Sequence, residues 1–221
     1  MDIVFCSITR EKDFNYTKLG KSEFTKLAKS LFYTETDNNN KKGLSQFYNE
    51  CIDRFKDKDA IVFIHDDVEL VQYDTVQQMK KGLERYDVLG VAGCVNPKIV
   101  EKNLWHWMAE DRSNMRGFAG HTTSYNSFTV TSFGETPSRV AILDGVFLAV
   151  NVKKLLQTNT RFDEQFKFHH YDIDFSLTCN KNKLKLGVWP VVINHSSPGL
   201  REFHQEWVSS NEKFINKWKN K

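Results

Sequence analysis

"AIVFIHDDVEL", residues 60–70, is the stretch on which the reading of this chain turns. Ala60-Ile61-Val62-Phe63-Ile64 reads as a buried strand, and a histidine and two adjacent carboxylates follow it at once. Neighbouring negative charges at the tip of an apolar strand repel each other and resist burial. Asp66 and Asp67 are therefore expected to hold something.

Outward from that strand the chain alternates. "DIVFCSI" reads as a first strand, and "SEFTKLAKSLF" as a helix running into a second short strand. "ETDNNNKKG" is a polar loop without hydrophobic period. In "GLSQFYNECIDRF", Leu44, Phe47, Tyr48, Cys51, Ile52 and Phe55 share one helical face, with Ser45 as a candidate cap. A helix over "YDTVQQMKKGLERY" and a strand over "VLGVAGCV" complete a strand-helix alternation across the first hundred residues. That order predicts an α/β fold with a mostly parallel central sheet and helices on both faces, whose ligands bind at the carboxyl ends of strands. Residues 103–137 are aromatic and weakly periodic, the character of a binding loop or lid. "RVAILDGVFLAVN" returns to strand, a helix begins near Tyr171, and "VWPVVINH" is a late strand. No repeat or linker divides the 221 residues, so a single domain is expected: a first half over 1–100, a second over 101–200 and a C-terminal helix over 201–221.

Composition narrows the class. With 31 Lys and Arg against 28 Asp and Glu, the net charge of +3 makes no case for nucleic acid. Four dispersed cysteines carry no CxxC pair, and "MDIVFCSITR" lacks the basic leader and apolar run of a signal peptide. No apolar run approaches the roughly 18 residues of a membrane span. A cytoplasmic protein with reduced thiols is expected. The basic end "NEKFINKWKNK" reads as a solvated helix face, with Phe214, Ile215 and Trp218 left to pack on the body or meet a membrane surface.

The chain has no GxxxxGK[ST] loop and no GxGxxG after its first strand, so a bound diphosphate would need another partner. A Mg2+ or Mn2+ on His65-Asp66-Asp67 is one such partner, with imidazole tolerated by Mn2+. Spacing alone equally allows both aspartates to cap a helix or sit in a solvated turn. His195 alone reads as structural, and in the metal reading it adds a nitrogen ligand from another strand end. In "YDID", Asp172 and Asp174 at i and i+2 do not share a helical face and should have different jobs. One suits a general base in a closed pocket, and the alternative is that both complement a helix N-terminus. Asp144 in "LDGVF" has a turn-forming alternative. His169 and His170 are adjacent and do not converge on one ion.

Taken in order, "HDDV", "LDGVFLAV", "FDEQF…YDIDFSL" and "VVINHSS" resemble the motifs of GT-A (Rossmann-like) glycosyltransferases, family-2-like sugar transferases of polysaccharide assembly in particular, over residues 1–199. The resemblance implies a metal-dependent, inverting transfer from a nucleotide-diphosphate sugar to a hydroxyl of a glycan or related acceptor, with an irregular acceptor-side region. It implies that "HDDV" stands for the DxD motif, with Asp67 on the Mn2+ or Mg2+ and Asp66 near ribose or sugar. It puts Asp144 and Gly145 by the donor sugar and acceptor, makes Asp172 the base, and lets His195 complete the metal site. Ser7, Thr9 and Arg10 would lie at the end of the first strand, and Gln46 and Asn49 would contact the nucleotide. Tyr171 stands where the family carries a glutamate, and "VFCSITR" lacks its Pro-Thr-Tyr-Asn sequence.

Two rivals remain at this stage. One is nucleotidyl transfer onto sugar phosphates, against which "CSITREKDF" offers no glycine. The other is a non-catalytic carbohydrate-binding module in which Trp105, Trp107, Tyr125 and Trp189 stack on sugars. Peripheral association with a membrane or a multi-enzyme assembly is left open.

Overall fold

A computed structural model describes residues 1–122, 127–196 and 202–219. The first half holds strands β1 (Ile3–Thr9), β2 (Phe32–Thr36), β3 (Ala60–Ile64), β4 (Val68–Leu70), β5 (Val88–Gly90) and β6 (Ala92–Cys94). Its helices are α1 (Lys18–Lys21), α2 (Glu23–Leu27), α3 (Leu44–Arg54) and α4 (Thr75–Leu83). The second half adds β7 (Met115–Thr122), β8 (Phe128–Gly134), β9 (Ser138–Val140), β10 (Ile142–Leu143), β11 (Phe147–Asn151), β12 (Leu186–Val188) and β13 (Ile193–His195). Helices α5 (Val152–Gln157), α6 (Tyr171–Lys181) and α7 (Gln205–Trp218) belong to it as well.

The larger sheet has the order β2-β1-β3-β11-β5-β12-β9. β2, β1, β3, β5 and β12 run one way, and β11 and β9 run the other. The sheet is thus mostly parallel, and β3 is buried along its whole length, as its apolar run requires. A second sheet, β10-β6-β7-β13-β4 with β8 paired to β7, lies on the route between the two halves.

Three sequence expectations change here. "VLGVAGCV" is two strands in different sheets, because the backbone breaks at Val91, whose carbonyl accepts a bond from Phe118 N. Residues 103–137 hold the hairpin β7–β8, which the weak hydrophobic period hid because β8 exposes most of its residues. Ser45 does not cap α3. That helix starts from Gly43, Leu44 N donates to Lys167 O at 2.7 Å, and the Ser45 hydroxyl donates to Phe166 O at 2.6 Å.

α3 buries Phe47, Tyr48, Cys51 and Ile52 and packs on β1 and β3. α4 packs on β5 and β11, and α6 on β10 and β12. One cluster of buried side chains runs from Ile3 to Phe214, with Phe162 stacked on Phe175 at 3.9 Å near its centre. All four cysteines are free thiols in the interior. Among the described residues no helix is long and apolar enough to cross a membrane.

Candidate active site

The C-terminal ends of β1 and β3 open into a cavity of about 520 Å³. Thr9, Arg10, His65, Asp66 and Asp67 line it from the strands, and Asp37 and Lys42 from the loop after β2. Tyr48, His169 and Glu206 close the other side.

Neither aspartate of the strand tip caps a helix. The Thr9 hydroxyl donates to Asp66 Oδ2 at 2.5 Å, which ties the ends of two parallel neighbours together. The Asp66 backbone carbonyl accepts from Leu19 N at 3.0 Å, so the turn is fixed on both sides. Asp67 faces the other way. The ligand-capable atoms of His65, Asp67 and His195 all lie within 4.8 Å of one another. His195 Nε2 is 3.4 Å from Asp67 Oδ2, and His65 Nδ1 is 4.0 Å from Asp67 Oδ1. β13 brings His195 there because it pairs with β4, and His195 lies opposite Val68, directly after Asp67.

The electrostatics follow from that packing. Burial pushes the Asp67 carboxyl up, but the bond from His195 and the charges of His195 and His65 outweigh it and hold the group below its usual range. His195 is raised, since Asp67, and Asp144 behind it, overcome the effect of burial. Burial lowers His65, against the pull of Asp67. Asp67 Oδ1 is buried with no hydrogen-bond partner, an expensive state for a carboxylate oxygen unless a cation meets it. One carboxylate and two imidazoles suit a divalent ion that accepts nitrogen, which favours Mn2+ over Mg2+.

The second acidic motif lies at the start of α6. Gly145 N donates to Asp172 Oδ2 at 3.0 Å, and the Ser176 hydroxyl, accepting from Leu143 N at 3.1 Å, donates to Asp172 O at 2.8 Å. The first turn of α6 is thereby locked against the segment after β10. Gly145 is required there: a Cβ would lie 2.3 Å from the Tyr171 hydroxyl and 2.7 Å from Asp172 Cβ. Burial first, and the neighbouring Asp144 second, push Asp172 up to about 7. Asp174 has the different job its spacing implies. It is fully buried, accepting from Trp218 Nε1 at 2.7 Å and pairing with Lys217 Nζ at 2.8 Å.

Of the residues singled out by sequence, Thr9, Arg10, Asp66, Asp67 and His195 gather around the cavity mouth, and Asp144, Gly145, Tyr171 and Asp172 form the adjoining cluster. Four do not join them. Ser7 is buried inside β1, with its hydroxyl unpartnered. Gln46 is exposed and donates to Glu50. Asn49 is spent on the chain at Phe162, donating to its carbonyl and accepting from its N–H. Trp105 is only 8% exposed and packs edge-on against Phe133, whereas Trp107 is 42% exposed. Trp189 is buried, and Tyr125 lies outside the described residues. Sequence reasoning missed Asp37, Lys42 and Glu206. Lys42 and Asp37 sit in a loop without period, where only the density of polar residues hinted at a site. Glu206 comes from α7, far along the chain.

A family model described as a glycosyltransferase-like family matches residues 29–221. No curated protein sequence matches the chain. Among solved structures, that of GalNAc-T7 with UDP, GalNAc and Mn2+ is 10% identical with a TM-score of 0.61, over 99% of this chain and 48% of that one. Staphylococcus (S.) aureus TarS is 14% identical with a TM-score of 0.50, over 89% of this chain and 37% of that one. The mannosyltransferase PcManGT from Pyrobaculum calidifontis, in complex with GDP-Man and Mn2+, is 13% identical with a TM-score of 0.50, over 90% of this chain and 58% of that one. At such identities the likeness is one of fold, and this chain spans about half the length of the first of these structures, 48%.

Proposed function

This chain belongs to the glycosyltransferase-like family, and from that premise we propose that it transfers a sugar, with inversion, from a nucleoside-diphosphate donor to a hydroxyl of a glycan or related acceptor. One observation carries the reading: the buried, unpartnered Oδ1 of Asp67 between two imidazoles at the mouth of a 520 Å³ cavity. Asp67 and His195, with His65 beside them, would hold a Mn2+ or Mg2+, whose charge offsets that of a departing diphosphate.

The chain's own residues do the rest. Thr9 and Asp66 form the rim on which ribose or sugar hydroxyls would be oriented, and Arg10 brings positive charge to the cavity wall, where Lys42 is paired with Glu35 and Glu50. Asp172 is the general base. Its carboxylate takes the proton of the acceptor hydroxyl as that oxygen bonds to the anomeric carbon, and the bond from that carbon to the diphosphate breaks. A single displacement inverts the carbon. A base with a pKa of about 7 is matched to this task, being partly ionised at neutral pH yet still basic. Asp144 and Gly145 line the same cluster, Gly145 by presenting its N–H to the base.

Thermal shift with UDP, GDP, dTDP and CMP, each with and without Mn2+, tests the donor site. One nucleotide should raise Tm only with Mn2+ present, since selective binding stabilises the fold. Asp67→Asn should abolish that shift. A flat panel, or an Asp67→Asn protein that responds like the parent, would sink the reading.

A further inference from the structure

We propose that Tyr171 is a positioning residue that sets the tautomer of His65, so that this imidazole presents Nδ1, as a lone pair, to a cation shared with Asp67. The inference rests on the metal reading above.

The Tyr171 hydroxyl sits between two groups. Its oxygen is 2.6 Å from His65 Nε2 and 3.1 Å from the carbonyl oxygen of Gly145. It has one proton to give. Given to His65, it would leave the buried Gly145 carbonyl without a partner, for among the described residues that oxygen accepts no other bond. Given to Gly145, it leaves the phenol oxygen free to accept from His65 Nε2–H, and all three groups are satisfied. The second arrangement wins, and it strips the proton from Nδ1.

Nδ1 then confronts Asp67 Oδ1 at 4.0 Å, and that oxygen is itself buried and unpartnered. Two acceptors turned toward each other at this distance are at odds unless a positive ion lies between them or beside them. A histidine that ligates through one nitrogen and donates from the other to a fixed oxygen is the arrangement expected at a metal site. Tyr171 is fixed indeed: its ring packs edge-on against Tyr48 at 5.8 Å, and the absence of a side chain at Gly145 lets its hydroxyl approach. The sequence placed a cation on His65-Asp66-Asp67 with His195 as a further nitrogen ligand, and the family resemblance narrowed it to Asp67 and His195. The geometry keeps His65 with those two, sets Asp66 aside on Thr9, and gives Tyr171 a role separate from that of its neighbour Asp172.

Two measurements on the whole chain test this. Long-range 1H–15N spectra of protein labelled at histidine, without metal, should show His65 as the Nε2–H tautomer, its resonances assigned by their loss in His65→Gln. Titration calorimetry with Mn2+ alone should show Tyr171→Phe binding about 10- to 100-fold more weakly than the parent, with His65 no longer held in one tautomer. An Nδ1–H tautomer in the parent overturns the proposal even if the variant fails to fold. So does a Tyr171→Phe protein with unchanged tautomer and unchanged Mn2+ affinity. If in that case Asp67→Asn still abolishes Mn2+ binding, the donor-site reading stands without this inference. If the parent binds no Mn2+, both fall.

Discussion

Asp172 carries the sharpest prediction at the scale of a single residue. Its pKa of about 7 implies that transfer rate rises with pH through that value and then levels, and that Asp172→Asn loses about 10²- to 10⁴-fold at every pH. The same shift has a stability consequence. The folded pKa lies above the ordinary aspartate value of 3.8, so the group stabilises the fold fully below about pH 4, and that contribution is lost as pH rises through about 7. At pH 8 the parent therefore holds an ill-solvated carboxylate, and Asp172→Asn should be the more stable protein by about 1–2 kcal/mol, a value discounted for partial exposure. Calorimetric Tm values at pH 5 and pH 8 check the sign; an Asn variant weaker than the parent at pH 8 would contradict it. Asp66 and Asp67 stood out in the sequence as paired charges at the tip of an apolar strand, whereas spacing alone left Asp144, Asp172 and His195 with structural alternatives and only the family resemblance drew them together. The place of Asn49 was not legible, because what claims it is the backbone of Phe162, 113 positions away, and no local pattern announces such a partner. His65 and Tyr171 were visible as residues but not as a pair, since their 2.6 Å contact joins positions 106 apart.

At the scale of elements, two helices decide whether the site exists. α6 carries Tyr171 and Asp172 in its first turn, and α7 holds α6 from behind through Asp174, Lys217 and Trp218. Asp174 is fully buried while Lys217 keeps 21% of its side chain exposed, so the pair is worth less than a wholly interior one. Removing the carboxylate takes a hydrogen bond from Trp218 Nε1 and an ion pair from Lys217, although Asp163 also accepts from Lys217 at 2.7 Å. Asp174→Ala should cost about 2–4 kcal/mol in urea unfolding with an unchanged m-value. A loss below about 0.5 kcal/mol, the level of an ordinary surface substitution, would show that α7 is held by Phe214 and its apolar neighbours alone. Strand and helix periods were readable wherever an element buries one face, as in α3. They failed at Val88–Cys94, where seven small and apolar residues read as one strand and only the partners on either side of Val91 reveal two.

At the scale of the molecule, alternating strands and helices foretold a mostly parallel sheet, and the order of the chain hid the second sheet that stitches residues 68–195 across it. The common core predicts one cooperative transition: calorimetric and van't Hoff enthalpies should agree, and far-UV and tryptophan signals should melt together. Separate transitions would mean that the two halves fold apart. The Asp174 latch also bears on the order of synthesis. A nascent chain that has reached residue 196 already owns every side chain assigned here to cation and proton, yet its α6 would carry a buried carboxylate with nothing to answer it until Lys217 and Trp218 leave the ribosome. Competence of the site would then arrive abruptly, once α7 has been made, rather than growing with each residue added.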